Sequence, residues 1–276
     1  MQVGVVAQKD NARAAQLAEQ ICESLSESDV SVLVDEATAE AIDVDTGGVP
    51  PSAMRECDLV VSIGGDGTFL YTARGAGSAP IMGVNLGEVG FLNAVSPDDA
   101  LAAVESEVAH VRETGRPRIR EMMRLQASGD DWELDAAVNE IVVQGPQRGH
   151  GNGASFEVRV DGQLYTGSQG DGVLIATPAG STAYNLSEGG PFIRPEVDGV
   201  VVTEMCASES MPSLVSAADS VVEIRVDDAD SAYVISDGRA QQVIEPPETI
   251  RVERANQPVR MAGPPSEFFK ALNKLD

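Results

Sequence analysis

Two hydrophobic rhythms divide the chain. Up to about residue 115, short apolar runs alternate with stretches of helical spacing. Residues 2–7 (QVGVVA), 30–34 (VSVLV), 58–63 (DLVVSI) and 80–85 (PIMGVN) are continuous apolar runs of the kind a buried strand shows. Between the first two, Leu17, Ala18, Ile21 and Leu25 recur on one face of a helix that Asp10 is placed to cap. Residues 69–76 are expected as a helix. So are residues 97–110, which open on proline and two acids. Residues 35–52, with Gly-Gly and Pro-Pro, are expected as loop. Strand and helix in alternation imply an open, mostly parallel α/β sheet with helices on both faces.

From about 116 to 263 helical spacing nearly vanishes. Apolar or alternating runs recur at 119–126, 133–143, 155–160, 173–176, 200–205, 221–226, 233–236 and 249–253, with turn residues between them. This pattern predicts an all-β, sandwich-like domain. At 266–275, Ser266 is a candidate cap, and Phe268, Phe269, Leu272 and Leu275 share one side of a helix. That helix is expected to return to the first domain. The domains are therefore drawn as 1–115 with 264–276, interrupted by 116–263.

The candidate chemistry begins where the third strand ends. Gly64-Gly65-Asp66-Gly67-Thr68 lies between that strand and a helix. Ligands gather at the carboxyl ends of strands in open α/β sheets. Glycines there permit positive φ and present no Cβ to a phosphate. Peptide N–H groups backed by a helix N-terminus form an anion site. A carboxylate in such a loop repels the ligand unless it has a task. Asp66 can accept a proton from an attacking hydroxyl, or hold Mg²⁺ between phosphates; a tight turn in which Asp bonds its own backbone is the structural alternative.

Two further segments are unusual. Asn139-Glu140 interrupts the apolar stretch AVNEIVV, and buried polar side chains without partners are costly. They are expected at a ligand or cavity, with a solvent-facing strand edge as the alternative. Residues 171–191 run from Asp171-Gly172 through Thr177-Pro178-Ala179-Gly180-Ser181-Thr182-Ala183-Tyr184-Asn185-Leu186-Ser187 to Gly189-Gly190-Pro191. Closely spaced hydroxyls and exposed peptides can read a base edge and a ribose, and Tyr184 offers a face for stacking.

These motifs, in this order, resemble those of the NAD kinase family. Gly64–Thr68 alone is similar to a signature shared with lipid kinases and phosphofructokinases, so a lipid or sugar kinase is one alternative and a non-catalytic NAD-binding protein another. The Asn139-Glu140 pair and the 177–191 run single out NAD kinases. The resemblance implies phosphoryl transfer from ATP, or from polyphosphate, to the 2′-hydroxyl of NAD's adenosine ribose. It also implies NAD bound across a cleft between the domains. Asp66 is then the catalytic base, with Gly64, Gly65, Gly67 and Thr68 as phosphate loop. Asn139, Thr182 and Ala183 surround adenine, Glu140 meets the ribose, and Tyr184, Asn185, Leu186 and Ser187 complete the binding run. Arg74, His150, Asp171, Cys206 and Arg239 are further ligand positions by alignment. Ala179, Cys206 and Arg239 depart from the residues the family usually carries. The implied cofactor is Mg²⁺ or another divalent cation with ATP, with no metal held by a protein ligand set. The implied assembly is a homodimer or homotetramer with Asp171 and Tyr184 near a subunit boundary.

Composition narrows the setting. Forty-four acids oppose nineteen bases, a net charge of −25, and the only lysines are Lys9, Lys270 and Lys274. Such a surface repels nucleic acid and anionic membranes. The three cysteines, Cys22, Cys57 and Cys206, form neither a disulfide pattern nor a ligand cluster. The first residues look like a strand, not a signal peptide, and no apolar run is long enough to span a membrane, so the chain is expected in the cytoplasm. Acids scattered over the whole surface repel one another, and molar salt screens them over a Debye length of about 3 Å; the expectation is a halophilic source. The melting temperature should therefore rise with KCl toward molar concentrations. A melting temperature that is flat or falls over that range contradicts the expectation.

Overall fold

The computed structural model describes residues 1–42, 47–87, 91–146, 153–265 and 268–273. The first unit runs from Met1 to Met122 and resumes at Pro258; the second is Met123–Gln257. The first contains β1 (Gln2–Ala7), α1 (Ala12–Glu27), β2 (Ser31–Val34), α2 (Glu36–Ile42), β3 (Leu59–Gly64), α3 (Asp66–Ala76), β4 (Ile81–Asn85), α4 (Ala100–Thr114) and β5 (Ile119–Met122). The second contains β6 (Leu125–Ser128), β7 (Glu140–Gln144), β8 (Ala154–Val160), β9 (Gln163–Gly170), β10 (Gly172–Ala176), the short α5 (Tyr184–Ser187), β11 (Gly199–Met205), β12 (Leu214–Ala217), β13 (Val222–Asp227), β14 (Ala232–Ser236), β15 (Ala240–Ile244) and β16 (Glu248–Arg254). The chain then returns to the first unit with β17 (Val259–Ala262) and α6 (Phe268–Leu272).

The first unit is one sheet in the order β2-β1-β3-β4-β17-β5, parallel except where β5 runs against β17. Val3 and Val5 of β1 and Leu59, Val61 and Ile63 of β3 meet Leu17, Ile21 and Leu25 of α1 and Val104 and Val108 of α4 in one buried cluster. The helical spacing in α1 thus becomes its buried face. Its cap is Asn11 rather than Asp10: Asn11 Oδ1 accepts from the backbone N–H groups of Arg13 and Ala14, while Asp10 takes a positive φ in the preceding turn. The expected helix at 97–110 continues to Thr114, where Gly115 in the left-handed conformation closes it by donating to Val111 O at 2.8 Å.

Several boundaries differ from the sequence expectation: the run expected at 133–143 is strand only over Glu140–Gln144, and the units divide at Met122/Met123 and Gln257/Pro258 rather than at 115/116 and 263/264. The stretch 35–52 is not all loop, because Ala-rich Glu36–Ile42 forms α2 against α1 and Pro51–Met54 makes a 3₁₀ turn under α3. The apolar run at 119–126 is two strands. Residues 119–122 pair with β17 in the first sheet, and the chain crosses to the second unit at Met123-Arg124 before β6 begins. The helix expected at 266–275 is described over Phe268–Leu272, where Phe268 stacks at a tilt on Phe91; Ser266 and Leu275 lie outside the described residues.

The second unit is two antiparallel sheets, β12-β11-β10-β7-β14-β15 and β6-β16-β13-β8-β9. Their facing sides share a core of Ile141, Val143, Val173, Ile175, Ile224 and Val252, among others. Each such side chain, fully buried, contributes about 1.5–3 kcal/mol. On the outer side of the first sheet, Val142, Leu174, Ala176 and Val201 are also buried, covered by Ile193 with Tyr184 packed alongside. That is why β7, β10 and β11 read as continuous rather than alternating apolar runs. Among the described residues no helix is long and apolar enough to cross a membrane.

Candidate functional site

In the first unit the site is built at the end of β3. Gly64 closes the strand, Gly65 caps the helix, and Asp66 is already in the first turn of α3. The expected five-residue loop is therefore a far tighter turn. Gly64 is required by contact: a Cβ there would lie 2.4 Å from Thr68 Oγ1. Gly65 and Gly67 are not required by contact, since a Cβ on either meets nothing within 4 Å. Nor do these glycines use positive φ, which corrects one reason given for them above. What Gly65 and Gly67 leave is open, side-chain-free backbone at a helix N-terminus, the arrangement that suits a phosphate.

Asp66 is held from outside its own turn. Its carboxylate accepts from Phe91 N at 3.1 Å, Leu92 N at 3.3 Å and Asn93 Nδ2 at 3.3 Å. Asn93 is buried and also reaches Gly64 O at 3.5 Å, while its own Oδ1 has no hydrogen-bond partner. Room for Asn93 comes from Gly83 in β4, where a Cβ would stand 2.1 Å from Asn93 Oδ1. Burial raises the Asp66 pKa above the ordinary carboxylate range, and the Phe91 and Leu92 N–H groups oppose that rise. Phe91, Leu92 and Asn93 are not among the sequence-derived candidates. The only signal was a polar Asn93 after an apolar Phe-Leu pair. Lys9, exposed in the turn after β1, lies on the same carboxyl edge, since Gln8 N donates to Ile63 O at 2.8 Å.

In the second unit, Asn139 and Glu140 stand at the start of β7, and residues 177–184 fold directly onto them. Thr177 N donates to Asn139 O at 2.9 Å and Thr177 Oγ1 to Val138 O at 2.7 Å. Gly180 is needed for this approach, because a Cβ there would fall 2.0 Å from Asn139 O. The Tyr184 N–H donates to the Glu140 carboxyl group. Glu140 is 7% exposed, and its Oε2 lacks any hydrogen-bond partner. Burial first, and the nearby Asp237 charge second, push its pKa up to about 7. A buried carboxyl oxygen without a partner calls for a water, an ion or a ligand group.

The remaining sequence candidates separate. Thr182 and Ala183 are half-buried beside this cluster, and Thr182 Oγ1 donates to Ala179 O. Asn185 has no exposed surface: its Nδ2 donates to Ser181 O and Pro191 O, and its Oδ1 accepts from Thr203 Oγ1. It fastens the 181–191 run, while Leu186 is half-buried and Ser187 exposed. Asp171 lies at the other end of β10, roughly 20 Å from Thr177 at strand rise, next to Cys206, since Asp171 N donates to Met205 O. Arg74 is in the last turn of α3, about 12 Å along the axis from Asp66. Arg239 is exposed just past a hairpin tip. His150 lies outside the described residues. Among the described residues no group of three or more His, Cys, Asp or Glu forms a metal cage.

Two family models match the chain. Residues 3–111 match the ATP-NAD kinase N-terminal domain, and residues 138–263 match the ATP-NAD kinase C-terminal domain. The chain is 56% identical to the NAD kinase of Haloarcula marismortui and 54% identical to that of Halobacterium salinarum, over the full length of both partners in each case. Both relatives come from halophilic archaea. In fold it is similar to the crystal structure of an NAD kinase from Archaeoglobus fulgidus in complex with ATP, with TM-score 0.78, 24% identity and 99% of each chain covered. It is likewise similar to yeast NADH kinase complexed with NADH, with TM-score 0.81, 23% identity, and 100% of this chain and 87% of that one covered.

The buried Glu140 has a consequence for stability. A folded-state pKa raised above the unfolded value means that the folded chain holds its proton longer. Stability from this group is fully present below the ordinary glutamate range and is lost as pH rises toward about 7. Glu140→Gln should therefore gain stability relative to the parent between pH 4.5 and 7, by up to about 3 kcal/mol. Urea denaturation across that range in molar KCl checks this; parallel curves for the two proteins would contradict it.

Proposed function

The chain belongs to the NAD kinase family, and we propose that it phosphorylates NAD with Asp66 as the catalytic carboxylate and the 138–184 cluster as the seat of the adenosine. The observation that carries this reading is the Asp66 carboxylate, held by Phe91, Leu92 and Asn93 beside the bare backbone of Gly65 and Gly67. In this reading the ribose 2′-hydroxyl attacks the terminal phosphorus of ATP. Its proton passes to Asp66, and the bond between the γ-phosphorus and the β–γ bridging oxygen breaks, with its electron pair leaving on ADP. A raised Asp66 pKa makes it a better proton acceptor than an ordinary aspartate. Because the transition state of phosphoryl transfer is loose, holding the hydroxyl in line contributes more than deprotonation.

ATP is the donor we favour, since the Archaeoglobus fulgidus relative is an NAD kinase in complex with ATP. The N–H groups at the start of α3 would face its phosphates. Among the described residues no metal cage stands ready, which suits a divalent cation carried by the phosphates with Asp66 as a protein ligand, the habit of Mg²⁺. When bound it would neutralise charge on the phosphates. On the dinucleotide side, Asn139, Thr182 and Ala183 would surround adenine, Tyr184 would stack, and Glu140 would meet the ribose through its unpartnered oxygen. Asn185 would act by holding the run in place. The chain would form a homodimer or homotetramer with Asp171 and Tyr184 near the subunit boundary. Light scattering in molar KCl should report such an assembly, and a monomer would remove it. The acidic surface suits a cytoplasm rich in salt.

In molar KCl with ATP, Mg²⁺ and NAD, the protein should form NADP, whereas diacylglycerol and fructose 6-phosphate should stay unmodified. Asp66→Asn should lose about 10²-fold or more in kcat while binding NAD within a few-fold of the parent. Near-normal turnover by this variant would remove Asp66 from the reaction.

A further inference from the structure

Asp237 has a part in the second unit that its place in a hairpin does not account for. It opens the Asp237-Gly238 turn between β14 and β15, with φ of 47° at Asp237 and 64° at Gly238. The loop is three residues long, since Ser236 pairs with Ala240, and Arg239 N donates to Ser236 O at 3.0 Å to close a turn whose positive φ values Asp and Gly tolerate. The turn explains the backbone and leaves the side chain unexplained. Instead of facing solvent, the Asp237 carboxylate is buried and crosses to the start of β7. Its Oδ2 accepts from Val138 N at 2.8 Å, and its Oδ1 accepts from Asn139 N at 2.8 Å and Glu140 N at 3.3 Å. The contact is reciprocal, since Asp237 N donates to Glu140 O at 3.1 Å.

We propose that Asp237 is the positioning residue of the adenosine seat: it fixes the peptide of the Asn139-Glu140 pair, and its charge adds to the burial that keeps Glu140 a hydrogen-bond donor toward the ribose. This rests on the reading above that Glu140 meets the ribose. Two buried carboxyl groups close together do not both ionise readily. Asp237 accepts from three N–H groups, whereas Glu140 Oε2 has no partner, so the proton belongs on Glu140. Among the described residues, Arg124 is buried beside Asp237, and Asp135 lies beside Arg124. Arg124 favours the ionised form of Asp237, which strengthens the same assignment. A neutral Glu140 both donates and accepts, as a sugar hydroxyl does. It also adds no negative charge beside a substrate that carries a pyrophosphate. The geometry and the raised Glu140 pKa of about 7 agree.

The test uses Asp237→Asn in the full chain. The amide must turn its NH2 toward at least one of the three N–H donors and lose that bond. It also removes the charge that faces Glu140. The expected result is a KM for NAD raised about tenfold or more, kcat changed much less, and the alkaline fall of kcat/KM displaced to lower pH. Asp237→Glu should return the parent's pH profile even if affinity stays poor. A raised KM with an unmoved pH profile would reduce Asp237 to a structural residue and overturn the proposal, as would unchanged kinetics. Should Asp237→Asn fail to fold, NMR of the parent labelled with [δ-¹³C]glutamate replaces it. The resonance absent from Glu140→Gln must titrate near neutrality, and titration in the ordinary glutamate range overturns the proposal. Glu140→Ala separates the two layers: if it binds NAD like the parent, the adenosine seat itself is wrong, whereas if it loses NAD and Asp237→Asn does not, only the role of Asp237 fails.

Discussion

A buried carboxylate at a helix N-terminus needs a hold of its own, all the more if phosphates are to bind beside it as proposed, and the grip on Asp66 is the constraint around which the first unit is arranged. Phe91 N, Leu92 N and Asn93 Nδ2 supply that hold from a segment twenty-five to twenty-seven residues away. The N-terminus of α3 adds a positive field that favours both the carboxylate and an incoming anion. Each support has a sequence cost elsewhere. Asn93 reaches Asp66 only because β4 carries Gly83, and α3 starts directly after β3 only because Gly64 leaves room for Thr68. A parallel sheet supplies the frame, since β3 and β4 deliver Gly64 and Asn85 side by side at the same edge.

The proposed adenosine seat in the second unit meets a related problem. On a chain of net charge −25 it is lined by amides, hydroxyls, peptides and Glu140, whose pKa is pushed up to about 7, with Asp237 and Arg124 buried behind them. Most arginines in ion pairs lie elsewhere. Arg159, Arg225 and Arg251 each pair with an acid two residues along the same strand, on the outer side of the second sheet. Such exposed pairs add little to stability; they offset local charge on a surface that salt must otherwise screen.

Much of this was legible in the sequence, for identifiable reasons. Strands β1, β3 and β4 are buried on both faces, so they appear as continuous apolar runs, and α1 keeps its stripe. What was hidden depended on pairing. Edge strands β9, β12 and β15 alternate weakly, with exposed Leu164, Val215 and Val243, and escape a pattern search. Strand β17 is only Val259–Ala262, and its place beside β4 is a tertiary fact. In the site, Asp66, Asn139 and Glu140 stood out as polar residues in apolar or glycine-rich surroundings. Asn93 and Asp237 did not, because each acts through a partner distant in sequence, and Asp237 was disguised by a turn that already justified its presence.

The account stands or falls on where the dinucleotide's sugar lies. A crystal structure of the full chain with NAD, grown in molar KCl, measures it directly. The ribose 2′-oxygen should be found within hydrogen-bonding distance of the Asp66 carboxylate, with that carboxylate still held by Phe91, Leu92 and Asn93. A complex that seats the adenosine ribose well away from Asp66 would contradict it.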